Sequence, residues 1–382
     1  MADFIFKIQQ NIVLGAYTAS RLGEFVKPWG DKFMLIIDPT LRQVGSANKI
    51  VQPLADRKLD FFMFDNMAER ADTKTIANAL KLARQAHVSG VIAAGGTKAV
   101  ILGRAVASLY RDSRDVYTAL EKNDTSVEPL PLICVPSTIR DCFIFSSYIP
   151  VVDSRSSTTK LLRGQGNLCK MVLCDPTLTL SLSENQNASM FLETFGIALE
   201  AYLSPKANFF SDTLAEKAVE LLGYAVNGSP SLEITTPQEV LQSQGGCMAS
   251  LAVASSSIGA GSLLALCLNS RFSISRALSA SILLPYVIDD AAKFKLDRLA
   301  KCARILRVVP SDSADADAAA GLAEYVRKKI AKANLPSRLK DLSLSIEQLS
   351  LAIEDAVQLE LATSLPRSMT SDDLFDLVKL AY

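Results

Sequence analysis

The chain has 382 residues, of which 49% are apolar and 21% charged, and its 40 lysines and arginines are matched by 40 acids. That balance excludes a one-signed field of the kind that attracts nucleic acid or anionic lipid, and no apolar run approaches the roughly 18 residues of a membrane span. Single cores stop growing at about 250 to 300 residues, so two domains are expected.

Along the chain, short apolar runs alternate with helical periodicity from residue 33 to about 135. "FMLIID" (33–38) precedes a segment at 44–57, "LDFFMFD" (59–65) precedes "DTKTIANALKLARQAHVS" (72–89), "GVIAAGG" (90–96) precedes "TKAVILGRAVASLYR", and "PLICVPS" (131–137) follows. Alternation at this pitch predicts parallel βαβ units with helices on both faces of a sheet. Residues 149–175 read as a hairpin followed by a short strand ending at Asp175-Pro176. From about 185 the pattern is helical, at 187–203, 210–227, 236–268, 276–293, 294–306, 315–334, 344–361 and 370–380, with "SDSADADAAAG" (311–321) as an exposed loop bearing an Asp or Ser helix cap. The expected domains are a nucleotide-binding α/β domain at 1–180 and an all-helical domain at 181–382.

Seven cysteines, an odd number with no CxxC pair, suit reduced buried thiols in a cytoplasmic protein better than a disulfide framework or a zinc site. The start, "MADFIFKIQQNIVLG", carries no charged leader before a long apolar core, so no signal peptide is expected. The single histidine, His87, falls near a predicted helix C-terminus, where an imidazole suits the local dipole; no second histidine exists to build an imidazole-rich metal site.

Gly95-Gly96 follows an apolar strand and opens a helix. Glycines there let the backbone approach a pyrophosphate while the helix start attracts its charge, though a strand-to-helix turn wants glycine in any case. Thr97 and Lys98 continue the turn, and Lys98 is a cation for phosphate or an ordinary solvated lysine. Asp38, at the end of the first strong strand, either binds a ribose hydroxyl or caps the turn before Pro39.

In this order, "LIIDPTL", "GVIAAGG", "CVPST", "KMVLCDPTLT", "EAYLSPKANFFSD", "AGSLLALCL" and "SASILLPYV" resemble the iron-containing (group III) alcohol dehydrogenase family, part of the dehydroquinate synthase-like fold. The resemblance covers most of the chain. It implies a Rossmann-like α/β domain, an all-α domain, and NAD or NADP bound at Asp38, Gly95, Gly96, Thr97, Lys98, Pro136 and Thr138. The chain departs from the family in two places. The usual Gly-Gly-Gly-Ser turn is Gly95-Gly96-Thr97-Lys98, with Ile101 and Arg104 at positions that carry Asp and Lys, and the glycine-rich continuation of Pro-Thr-Thr is replaced by Arg140, Asp141 and Cys142.

The cofactor site holds both of those changes; the other departure concerns the metal. Family members hold iron or zinc with one Asp and three His. Here the resemblance puts Glu193 at the aspartate and Ile197, Leu264 and Arg276 at the histidines, with Leu268 at a further position often held by His. Aliphatic side chains have no lone pair and arginine stays protonated, so no iron or zinc is expected. Arg276 facing Glu193 would replace part of the lost charge; the alternatives are a merely structural pair or side chains that point to solvent. Lys160 matches a lysine that the family often carries and is a second candidate cation or an ordinary exposed hairpin lysine. The resemblance implies an oxidoreductase of small alcohols or aldehydes, acting as a homodimer. The alternative is a non-catalytic relative that binds a nucleotide or small anion as a sensor or partner protein.

Overall fold

The computed structural model describes residues 11–67, 70–123, 127–163, 169–179, 182–229 and 233–382. The expected boundary at 180/181 and the first ten residues of the leader reading lie outside them. The chain forms two compact units, within 7–181 and largely within 182–382.

The first unit is built on a six-stranded, wholly parallel sheet. Its strands are β1 (Asn11–Leu14), β2 (Lys32–Ile37), β3 (Asp60–Phe64), β4 (Gly90–Gly95), β5 (Leu132–Pro136) and β8 (Met171–Cys174), in the order β1-β8-β5-β4-β2-β3. Between them run α1 (Leu22–Val26), α2 (Pro39–Gln43), α3 (Asn48–Asp56), α4 (Thr73–Ala86), α5 (Thr97–Leu109) and α6 (Val116–Lys122). The central strands are apolar on both faces because both are covered. On one face Phe33, Leu35, Ile37, Ile92, Ile133 and Val135 pack with Leu22, Val26, Ile50 and Leu54. The segment expected at 44–57 holds one helix, α3, preceded by a turn at 44–47, and α2 lies before it.

An antiparallel pair, β6 (Tyr148–Asp153) with β7 (Thr158–Arg163), forms the hairpin expected from sequence. Chain direction reverses between β2 and β4: β2 leads outward to β3, and the chain then returns to β4 on the other side of β2. Such a switch point leaves a crevice at the carboxyl ends of the two strands, where doubly wound sheets bind ligands.

The second unit is helical throughout its described residues: α7 (Glu184–Leu203), α8 (Phe209–Asn227), α9 (Gln238–Ala254), α10 (Ala260–Phe272), α11 (Arg276–Ala291), α12 (Leu296–Ile305), α13 (Asp315–Lys332), α14 (Ile346–Gln358) and α15 (Ser371–Ala381). Helix α7 begins at a capping box between Ser183 and Gln186 and is buried from Ser189 to Leu203 on every side. A helix apolar all round belongs at the centre of its domain, and α8, α9, α10 and α11 pack around α7. Two sequence expectations are corrected. The stretch 236–268 is two helices, broken at Ser255–Gly259. The loop expected over 311–321 ends at Ala314, where α13 begins without a side-chain cap. No described helix is long and apolar enough to cross a membrane.

Candidate functional site

At the switch point, Asp38 follows β2 and caps α2, its Oδ1 accepting the Thr40 N–H at 3.0 Å. The capping alternative is the one observed; it uses Oδ1, while Oδ2 is turned toward Gly96. A Cβ built on Gly96 would lie 3.7 Å from Asp38 Oδ2 and 3.8 Å from the Thr138 methyl. Gly95 has φ +145°, and a Cβ there would meet Asp38 Cβ at 2.5 Å and Ala99 Cβ at 3.0 Å. Only glycine fits that position. Pro136 lies beside Gly95 in the β4–β5 register, and Ser137 donates its N–H to the Gly95 carbonyl at 2.9 Å. Thr97 and Lys98 form the first turn of α5, whose N-cap, Gly96, supplies no side-chain cap. The structure thus brings Asp38, Gly95, Gly96, Pro136 and Thr138 to one crest under an uncapped helix start. That arrangement fits a pyrophosphate with a ribose beside it.

After β5 the chain is held by side chains where glycines were expected from the resemblance. Thr138 Oγ1 donates to the Arg140 carbonyl at 3.4 Å, and buried Asp141 accepts the Phe143 N–H at 2.8 Å. Arg104, with no exposed surface, donates to the Phe143 carbonyl at 2.7 Å and to the Ser146 carbonyl. Burial lowers the pKa of this guanidinium, against the opposing influence of Cys169, Asp141 and Cys134. Arg104 is therefore a brace for the loop. Nothing in local sequence signals this, since its acceptors lie 39 and 42 residues away.

Lys160 occupies an exposed position on β7, opposite Val151. Its charge, after the larger effects of the Arg155 side chain and backbone N–H, helps hold the Asp153 carboxyl below its ordinary pKa. His87 ends α4 in the left-handed region at φ 51° and is exposed. None of the seven cysteines forms a disulfide.

In the helical unit, Glu193 and Ile197 sit one turn apart on α7, Leu264 and Leu268 one turn apart on α10, and Arg276 opens α11. These three helices pack on one another. Arg276 Nε lies 3.9 Å from Glu193 Oε1, with the two side chains 8% and 4% exposed. Ile197, Leu264 and Leu268 are each 1% exposed. This set offers one donor residue where iron(II) or zinc takes at least three, so it does not fit the metal. Among the described residues no group of three His, Cys, Asp or Glu is placed to hold a metal ion.

Sequence reasoning passed over Glu200, two turns beyond Glu193. Its carboxylate, 3% exposed, accepts the Gly259 N–H at 3.0 Å and the Ser262 N–H at 3.1 Å, capping α10 from the side of α7. Burial raises the pKa of this carboxyl, while Ser262, Gly259 and Gly261 pull the other way. A Cβ on Gly259 would lie 2.6 Å from Glu200 Cγ, so "GAGS" is a seat shaped for this side chain. The signal available in sequence was an acid in an otherwise apolar helix together with that Gly-x-Gly.

Comparison with known proteins bears on the fold and the family. Residues 9–176 match the family profile described as iron-containing alcohol dehydrogenase, and residues 188–382 match the C-terminal domain profile of the Fe-containing alcohol dehydrogenase family. Long-chain-alcohol dehydrogenase 1 of Geobacillus thermodenitrificans is 25% identical over 362 residues, 94% of this chain and 91% of that protein. A solved 1,3-propanediol oxidoreductase superposes with a TM-score of 0.91 at 19% identity, covering all of both chains. Sulfoacetaldehyde reductase from Bifidobacterium kashiwanohense, solved in complex with NAD+, superposes with a TM-score of 0.81 at 17% identity, covering 100% of this chain and 99% of that one.

Proposed function

The chain belongs to the iron-containing alcohol dehydrogenase family, and from that premise we propose that it is an NAD(H)-dependent oxidoreductase of small alcohols and aldehydes that works without iron or zinc at the family's metal position. The observation that carries the cofactor reading is the meeting of Asp38, Gly95, Gly96 and Thr138 at the switch point. When bound, the nicotinamide cofactor takes or gives a hydride. The chain's own residues do the rest of the binding. The N–H groups at the start of α5 face the pyrophosphate, with Lys98 as a neighbouring cation and Pro136 and Thr138 as its other wall. Asp38 accepts from a ribose 2′-hydroxyl and repels a 2′-phosphate, which favours NAD over NADP.

At the metal position the residues favour a different chemistry. Arg276 supplies a fixed positive charge and Glu193 balances it, while Ile197, Leu264 and Leu268 keep the surroundings dry and strengthen both. In this reading Arg276 stabilises negative charge on the substrate oxygen, Glu193 orients the guanidinium, and Lys160 is a further cation of the α/β unit. Cysteines that form no disulfide support a cytoplasmic protein, and pairing into a homodimer is proposed from the family alone.

Thermal stabilisation by NADH but not by inorganic phosphate, followed by turnover of short alcohols in chelator-treated buffer, tests the proposal. Stabilisation without turnover of any short alcohol or aldehyde would instead favour a nucleotide-binding relative without catalysis.

A further inference from the structure

Tyr17, separated from the end of β1 by Gly15 and Ala16, adopts φ 63° and ψ 14° and is 73% exposed. A bulky aromatic in the left-handed region is strained, and such strain persists only where the surroundings over-determine it. Here they do. The buried Asp175 carboxylate takes the Tyr17 N–H on Oδ1 at 3.1 Å and the Ala19 N–H on Oδ2 at 3.0 Å. Oδ1 also receives the Thr177 N–H at 2.9 Å and the Thr177 hydroxyl at 2.8 Å. The Tyr17 carbonyl accepts the Ser20 hydroxyl at 2.7 Å, and the Gly15 carbonyl accepts the Thr18 hydroxyl at 2.9 Å. The turn is fastened at both ends, and what it presents is an aromatic ring to solvent.

Its place in the sheet gives that ring a use. All six strands are parallel, so Tyr17 stands on the same carboxyl crest as Asp38, Gly96 and Thr138. Asp38 follows β2, on one side of β4, whereas β5, β8 and β1 succeed one another on the other side. A dinucleotide with its adenosine ribose at Asp38 and its pyrophosphate over Gly95-Gly96 must therefore send its second ribose and nicotinamide toward β5, β8 and β1. Strands are about 4.8 Å apart, so the end of β1 lies about 14 Å along the crest from that of β4. That span is within the combined reach of a nicotinamide riboside and a tyrosine side chain.

We propose that Tyr17 is a nicotinamide-side binding residue, an aromatic wall against which the planar ring of the cofactor rests. This rests on the dinucleotide reading above and extends it to a residue outside the glycine turn. The offset contact between two rings is worth a few-fold in affinity, while the adenosine diphosphate half is untouched.

The test is calorimetric titration of the full chain with NADH and with ADP-ribose, which lacks the nicotinamide. Tyr17→Ala and Tyr17→Gly are expected to weaken NADH about fivefold, with Tyr17→Phe near wild type and ADP-ribose unchanged within twofold for all three. Because glycine accepts the left-handed region, Tyr17→Gly is also expected to melt no lower than wild type. Unchanged NADH affinity in Tyr17→Ala, or equal losses for NADH and ADP-ribose, would overturn the proposal. A lower melting temperature for Tyr17→Gly would likewise assign the ring to packing. If wild type bound neither ligand, the dinucleotide reading itself would fall, and this inference with it.

Discussion

Arg276 Nε stands 3.9 Å from Glu193 Oε1 inside the helical unit, a cation on the first turn of α11 facing an acid in the middle of α7. A cation at a helix start opposes the dipole, and burial deprives both charges of water. The pair is thus a costly arrangement whose members depend on each other. Arg276→Ala should leave the Glu193 carboxylate buried without this counter-charge and destabilise the unit by about 3 kcal/mol, measured by urea denaturation. The double substitution Glu193→Gln with Arg276→Met should recover most of that stability while abolishing turnover. Recovery of both would show that the pair has no catalytic part.

A second prediction separates two adjacent glycines. Gly95→Ala places a methyl 2.5 Å from Asp38 Cβ at a φ of +145°, so it should destabilise the α/β unit by about 3 kcal/mol. At Gly96 the same methyl makes only ordinary contacts, at 3.7 and 3.8 Å, and should cost about 1 kcal/mol through the weaker N-cap. It would nevertheless occupy the approach of the pyrophosphate, and NADH affinity should fall about tenfold. Melting curves with and without NADH distinguish the two variants.

Asp38→Asn keeps an oxygen to cap Thr40 but removes the charge. The ratio of NADPH to NADH affinity should rise about tenfold, the equivalent of about 1.4 kcal/mol, with little change in melting temperature. An unaltered ratio would remove Asp38 from cofactor selection.

Glu200 ties α7 to α10 through two backbone N–H groups, and glutamine keeps only one acceptor for them. Glu200→Gln should therefore destabilise by about 2 kcal/mol. Burial raises the folded-state pKa above the ordinary value of 4.5, so the folded state holds its proton to higher pH than the unfolded state. Wild-type stability then declines, relative to the variant, as pH rises above 4.5. The deficit of the variant should be larger at pH 4.5 than at pH 7, as read from denaturation at the two pH values.

Much of the fold was legible because β2, β4, β5 and β8 are short apolar runs bounded by turn residues, and α4, α7 and α8 carry helical periodicity. Strand β1 was missed: it has four residues, lies at the sheet edge and is half exposed, so it gives neither a long run nor a clean alternation. The break between α9 and α10 was missed because apolar spacing continues on both sides of "SSSIG", and the reason for the break, the Glu200 carboxylate, comes from another helix. In the candidate site, the placement of Asp38, Gly95 and Gly96 at a strand end and a strand-to-helix turn was readable from position alone, since these are local features. Arg104 and Tyr17 were not. The first finds its acceptors far along the chain, and the second is singled out only by a backbone angle and a distant aspartate.

The central claim is that a member of this family transfers hydride with Arg276 and Glu193 where relatives hold a metal. The most direct measurement is NADH oxidation with a short aliphatic aldehyde, using protein dialysed against chelator and analysed for iron and zinc in the same sample. The account predicts turnover at well under one metal ion per chain, unchanged when iron or zinc is added back and lost in Arg276→Ala. Stoichiometric metal that survives dialysis, or activity that vanishes with the chelator and returns with iron or zinc, would contradict it.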